Sequence, residues 1–147
     1  MKNSTQIFEM ALQLTKPWFI SSVSLSPRES NRVGQLDIYI DFERGGQFFF
    51  FFCVECSVYD TSERSWQHLN FFEHKCFIHA RVPRIQSSTG EVVTVTVPWA
   101  RAGSGFTLMF EAYAMLLIEY EMPISKVATS LRVVANRLWR MFNYWVT

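Results

Sequence analysis

Phe48-Phe-Phe-Phe-Phe-Cys-Val-Glu-Cys56 is an apolar run that ends in a Cys-x-x-Cys pair. Two thiolates at this spacing grip one zinc ion from the tip of a tight turn, and the aromatics leading into the turn read as a buried strand that delivers it. Structural zinc takes four ligands, so Cys53 and Cys56 are half of a site. Their mates belong on the next knuckle, at residues 86–90. There the chain has Ser87 and Gly90, and neither coordinates zinc as a thiolate does.

Working outward, residues 36–43 alternate strictly: Leu36, Ile38, Ile40 and Phe42 on one face, Asp37, Tyr39, Asp41 and Glu43 on the other. This is a half-buried strand, and the turn at residues 44–46 predicts that the Phe run returns antiparallel to it. Residues 60–64 read as a further turn. Residues 66–85 have β character with a break near Asn70; Phe72, His74, Cys76, Ile78, Ala80 and Val82 share a face, and Pro83 is expected to end regular pairing. Val93, Val95 and Val97 form a last strand. Before all this, Ile7, Met10, Ala11 and Leu14 make one face of a short helix that Pro17 ends, and residues 18–25 read as a strand. The expectation for residues 1–99 is a small antiparallel, zinc-ribbon-like β domain with a short N-terminal helix.

The period then changes. After the Gly103-Ser-Gly105 hinge, Phe106, Met109, Phe110, Tyr113 and Leu117 fall at helical spacing, with Ser104 as the expected N-cap. A short helix over 124–131 and a third over about 135–145 follow, so the whole reads as α+β, with a three-helix unit over 100–147. Short helix, tight turn, longer helix, with Val127, Ala128, Leu131, Val133 and Leu138 as the apolar set, is the layout of a helix-turn-helix. It leaves Ala135, Asn136, Arg137 and Arg140 on the outer, N-terminal part of the third helix. Arg pairs with guanine and Asn with adenine in the major groove, so these types suit readout of double-stranded DNA. Lys126 and Arg132 join Asn136, Arg137 and Arg140 as candidate DNA contacts; Arg132 stands where such turns often carry glycine. Amphipathic helices with basic outer faces also occur in proteins that never touch DNA.

Composition narrows the class. The chain has 147 residues, 49% of them hydrophobic, which excludes a disordered or collagen-like protein and suffices for one ordinary domain or two small ones. The net charge of +1 hides an asymmetry: beyond Glu121 every charged residue is basic, so this segment attracts polyanions. Three cysteines and no charged-then-apolar leader argue for a reducing cytoplasm, and no apolar stretch approaches the roughly 20 residues of a membrane helix. Trp139, Phe142, Tyr144 and Trp145 are too many for one face of a short helix; part of the set is expected to pack on the first helix of the unit and part to form surface for a further domain.

The strings PWFISSVSL, WQHLNFFEHKCFIHARVPRI, VPWARAGSGFTLMFEA and RLWRMFNYWV resemble the N-terminal region of bacterial insertion-sequence transposases of the ISL-three family, over nearly the whole chain. The resemblance implies a zinc-binding domain, then a helix-turn-helix that recognises the transposon's terminal inverted repeats, then a metal-dependent domain with an Asp-Asp-Glu triad. Cys53 and Cys56 match the family's first ligand pair, with Val54 and Ser57 in place of the usual Pro and Gly, while Ser87 and Gly90 replace the second. The sequence ends at Thr147, after the third helix, so no catalytic domain and no catalysis are expected of this chain alone. His74 and Cys76, on one strand face, remain the alternative completion of a zinc site, against a core or interface role; His79 lies on the other face. A redox role for the Cys53/Cys56 pair also stays open, although the surrounding βαβ context such motifs use is missing. Two functions follow. One is a DNA-binding module that occupies transposon ends and contacts full-length transposase or itself. The other is a degenerate remnant acting through protein contacts or not at all.

Overall fold

The structure is a computed structural model, and it describes residues 1, 3–44, 57–87 and 89–147. Its elements run α1 (Ser4–Ala11), β1 (Trp18–Ser26), β2 (Gln35–Phe42), β3 (Ser57–Phe71), β4 (His74–Gln86), β5 (Val92–Thr94), α2 (Leu108–Glu119), α3 (Ile124–Leu131) and α4 (Ala135–Val146). The class is α+β. The Phe run with Cys53 and Cys56 lies outside the described residues.

The strands form one sheet in the order β1-β2-β4-β3, with β5 also pairing β4. It is mixed, not antiparallel as the sequence suggested, because β2 and β4 run parallel, with Ile38 opposite Ile78. Both edges of β2 are therefore taken, by β1 and β4, over residues 35–40. The alternation in β2 holds: Leu36, Ile38 and Ile40 are buried. They meet Cys76, Ile78, Ala80 and Val82 of β4 in a core closed by Trp18, Trp66 and Trp99. The Trp99 ring stands edge-on to Trp18 at 5.0 Å and to Trp66 at 5.4 Å, the arrangement aromatic quadrupoles favour.

Residues 60–64 are not a turn. They are the middle of β3, an edge strand whose exposed polar side chains pair across to β4, as Asp60 does with Arg84. Polarity suits an edge that must not recruit another chain, so it did not signal a break. Nor does Pro83 end pairing: only one donor is lost, and its carbonyl accepts from the Val95 N–H at 3.0 Å. The pairing of β3 with β4 is irregular between His68 and Phe71, where the break near Asn70 was expected, and the chain reverses at Phe72, in left-handed conformation with φ 55°. Of the α1 face expected to be buried, Leu14 packs on the core but Ile7, Met10 and Ala11 are exposed, and Phe8 and Leu12 pack there in their place. The N-cap of α2 is Thr107, whose hydroxyl accepts from the Phe110 N–H, and not Ser104.

A second core joins the last three helices: Phe106, Phe110 and Ala114, then Ile124, Val127, Ala128 and Leu131, then Leu138 and Met141. Met109 and Tyr113, expected in it, are exposed, because Phe110 and Ala114 set the buried face of α2. The two cores meet along β3. The Gln67 N–H donates to the Gly105 carbonyl at 2.8 Å, and the Gln67 carbonyl accepts from the Thr107 N–H at 3.0 Å. These bonds extend the strand into the chain leading to α2.

Candidate nucleic-acid interface

A turn of residues 132–134 joins α3 to α4. Val127, Ala128, Leu131 and Leu138 are buried between these helices and Val133 is half-buried, as their spacing suggested. Arg132 occupies the left-handed C-cap of α3, φ 58° and ψ 49°. That backbone costs a side-chain-bearing residue on the order of 1 kcal/mol, which is why glycine is common there. Here the Arg132 guanidinium offsets the cost by donating to the Glu73 carbonyl in the β3–β4 turn, at 2.9 Å. The β hairpin and the α3–α4 turn are thereby tied together.

The five basic and amide residues singled out from the sequence do not form one cluster. Lys126 and Asn136 are exposed, on α3 and near the start of α4, and Arg140 is exposed one turn beyond Asn136. Arg132 is exposed but engaged by Glu73. Arg137 turns inward: its Nη1 donates to Gln67 Oε1 at 3.3 Å, and its guanidinium lies 4.3 Å from the Phe106 ring centroid. Burial first, and the charge of Arg140 second, hold Arg137 below the ordinary value for a guanidinium. Gly105 matches this packing, since a Cβ there would come within 3.0 Å of Arg137 Nη2. Arg137 lines a groove of about 330 Å³ together with Arg140, Tyr144 and residues 103–106.

The outward stripe of α4 is Asn136, Trp139, Arg140 and Asn143, all exposed. The spacing i, i+3, i+4, i+7 puts them on one face of two helical turns. Trp139 and Asn143 were missed as members of this face. The signal was present once Leu138 and Met141 fixed the buried side. Phe142 packs on the helical core, and the rings of Trp139, Tyr144 and Trp145 remain about half exposed.

Two further groups hold the platform, and the sequence alone did not single them out. Glu111, 1% exposed, accepts both Nε and Nη2 of Arg101 at 2.9 Å in a two-pronged pair. The same guanidinium lies 3.7 Å from the Tyr144 ring centroid, so residues 101–105, α2 and the end of α4 are fixed to one another. His68 Nδ1 is 2.7 Å from the Thr107 hydroxyl. That oxygen also accepts from the Phe110 N–H, so the Thr107 hydroxyl links the imidazole to the first turn of α2. Burial lowers the His68 pKa.

The alternative metal ligands all lie in the sheet. Cys76 is in the core, its thiol pushed up to about 12 by burial and by Asp37. His74 packs against Gly34, whose Cβ, if present, would clash at 2.4 Å. His79 is bonded to Asp37 and Ser65 on the open face of the sheet, 2.6 Å from each. Ser87 and Gly90 close their own turn through the Gly90 N–H to Ser87 carbonyl bond. Among the described residues no three His, Cys, Asp or Glu side chains converge on one metal position. Neither Ser87 nor Gly90 supplies a thiolate or an imidazole. No helix among the described residues is long and apolar enough to cross a membrane.

Residues 95–146 match the family model described as the helix-turn-helix domain of transposase family ISL3. No curated protein and no solved structure matches the chain.

Proposed function

We propose that this chain binds double-stranded DNA through α4 and serves as the part of a transposase that recognises the transposon's terminal inverted repeats. The observation that carries the reading is the exposed stripe Asn136, Trp139, Arg140 and Asn143 on α4, inside the segment that matches a transposase helix-turn-helix domain. α4 spans Ala135–Val146, and no side chain caps its first turn, so that end is open to a duplex. An α-helix fits the major groove, where an Asn amide reads adenine and a guanidinium reads guanine or grips phosphate. Asn136 and Asn143 are the base-reading candidates, with Arg140 and Lys126 as phosphate or base contacts. Arg132 and Arg137 contribute mainly by fixing the helices, with Arg137 reaching the backbone from its groove.

The test is a mobility-shift comparison of duplexes carrying the element's inverted repeats with scrambled duplexes of equal length. A preference for the repeats that Asn136→Ala abolishes is expected. Equal affinity for both duplexes, or none for either, sinks the reading.

A further inference from the structure

We propose that the β3–β4 tip is a second DNA-contacting element, which sets Phe72 against the duplex beside the groove that α4 enters. This rests on the DNA-binding reading above and extends it to residues outside the helices.

Phe72 is 87% exposed and Phe71 48%, their rings edge-on with centroids 5.3 Å apart. An aromatic held out in water forgoes the gain of burial, and Phe72 does so in a left-handed backbone, φ 55°, that bulky residues seldom adopt. Asn or Gly would serve that turn with less strain. The tip is also held in place. The Glu73 carbonyl accepts from Arg132, and the Glu73 carboxylate accepts from Arg28 at 3.0 Å.

Arg132 is the point of attachment, and it lies three residues before the start of α4. The tip is therefore anchored to the turn that leads into α4, close enough to the start of that helix for a duplex read by α4 to reach it. Two projecting aromatics next to a duplex match the wedge that minor-groove proteins insert between base steps, or a ring laid on the sugar-phosphate edge. The contact is apolar, so it adds affinity without adding to the salt dependence that arginines impose.

The experiment uses the full chain and a duplex that it binds, and measures affinity across a salt series together with a hydroxyl-radical footprint. Phe72→Ala should weaken binding about tenfold, within the range for one engaged aromatic. It should leave the salt slope unchanged and shorten protection on one flank, while Phe72→Trp retains both. Thermal unfolding of Phe72→Ala should match the parent chain, because the ring is exposed. Parent-like affinity and footprint for Phe72→Ala overturn the proposal and leave DNA binding by α4 intact. So does a loss of self-association by that variant with DNA affinity unchanged, which would assign the tip to a second copy of the chain. If the parent chain binds no duplex, both this proposal and the reading it rests on fall.

Discussion

His68 is fixed between the sheet and α2 by its contact with the Thr107 hydroxyl. Protonating it would place a cation in a buried site, so burial holds its pKa below the ordinary value for a histidine. The sign of the linkage follows. Below pH 6.5 the unfolded chain takes up the proton first, so stability falls as pH drops from 6.5 towards the folded pKa and is unaffected by this group above pH 7. His68→Asn keeps a polar partner for the Thr107 hydroxyl without a titrating ring. Denaturant unfolding should therefore show a flatter stability profile between about pH 6.5 and 5 for the variant than for the parent. Identical slopes would remove His68 as the cause. At the same scale, Arg132 and Arg137 show that a basic residue can be more use to the fold than to a ligand. Only their environment, invisible in a list of positive charges, separates them from Lys126 and Arg140.

Among the elements, β3 does most to connect the molecule. Its residue Gln67 is 4% exposed and uses all of its polar groups. The backbone joins Gly105 and Thr107, the side-chain oxygen accepts from Arg137, and the side-chain nitrogen faces the Leu131 carbonyl at 3.5 Å. Gln67→Leu should keep the backbone bonds but strand the Arg137 guanidinium and the Leu131 carbonyl. We expect a loss of about 2 kcal/mol by chemical denaturation, in line with unsatisfied buried polar groups. A change under about 0.5 kcal/mol would mean that water replaces the amide at no cost. The elements also show what could be read from sequence. The period-two pattern of β2 and the apolar set of α3 and α4 were legible, because burial on one face leaves a local repeat. The parallel pairing of β2 with β4 was not, since strand neighbours far apart in sequence leave no local mark. Residues 60–64 of the edge strand β3 read as a turn in the sequence because exposed strands and turns share polar composition. The stripe on α4 was half legible: Asn136 and Arg140 stood out as types, while Trp139 and Asn143 needed the buried side to be known.

On the scale of the whole molecule, two cores joined along β3 present α4 on one side and the β3–β4 tip beside its start. The near-zero net charge gives no general attraction to DNA, so binding has to come from the basic segment after Glu121 and its geometry. The measurement closest to this claim is fluorescence anisotropy of a labelled inverted-repeat duplex, titrated with the parent chain, Asn136→Ala and Arg140→Gln from low to moderate salt. The account predicts that affinity falls linearly in log–log form with salt. Arg140→Gln should weaken binding to every duplex and reduce the salt slope by about one, whereas Asn136→Ala should erase the preference between sequences at an unchanged slope. Binding that is indifferent to both substitutions would contradict it, because the duplex would then be held by some surface other than α4.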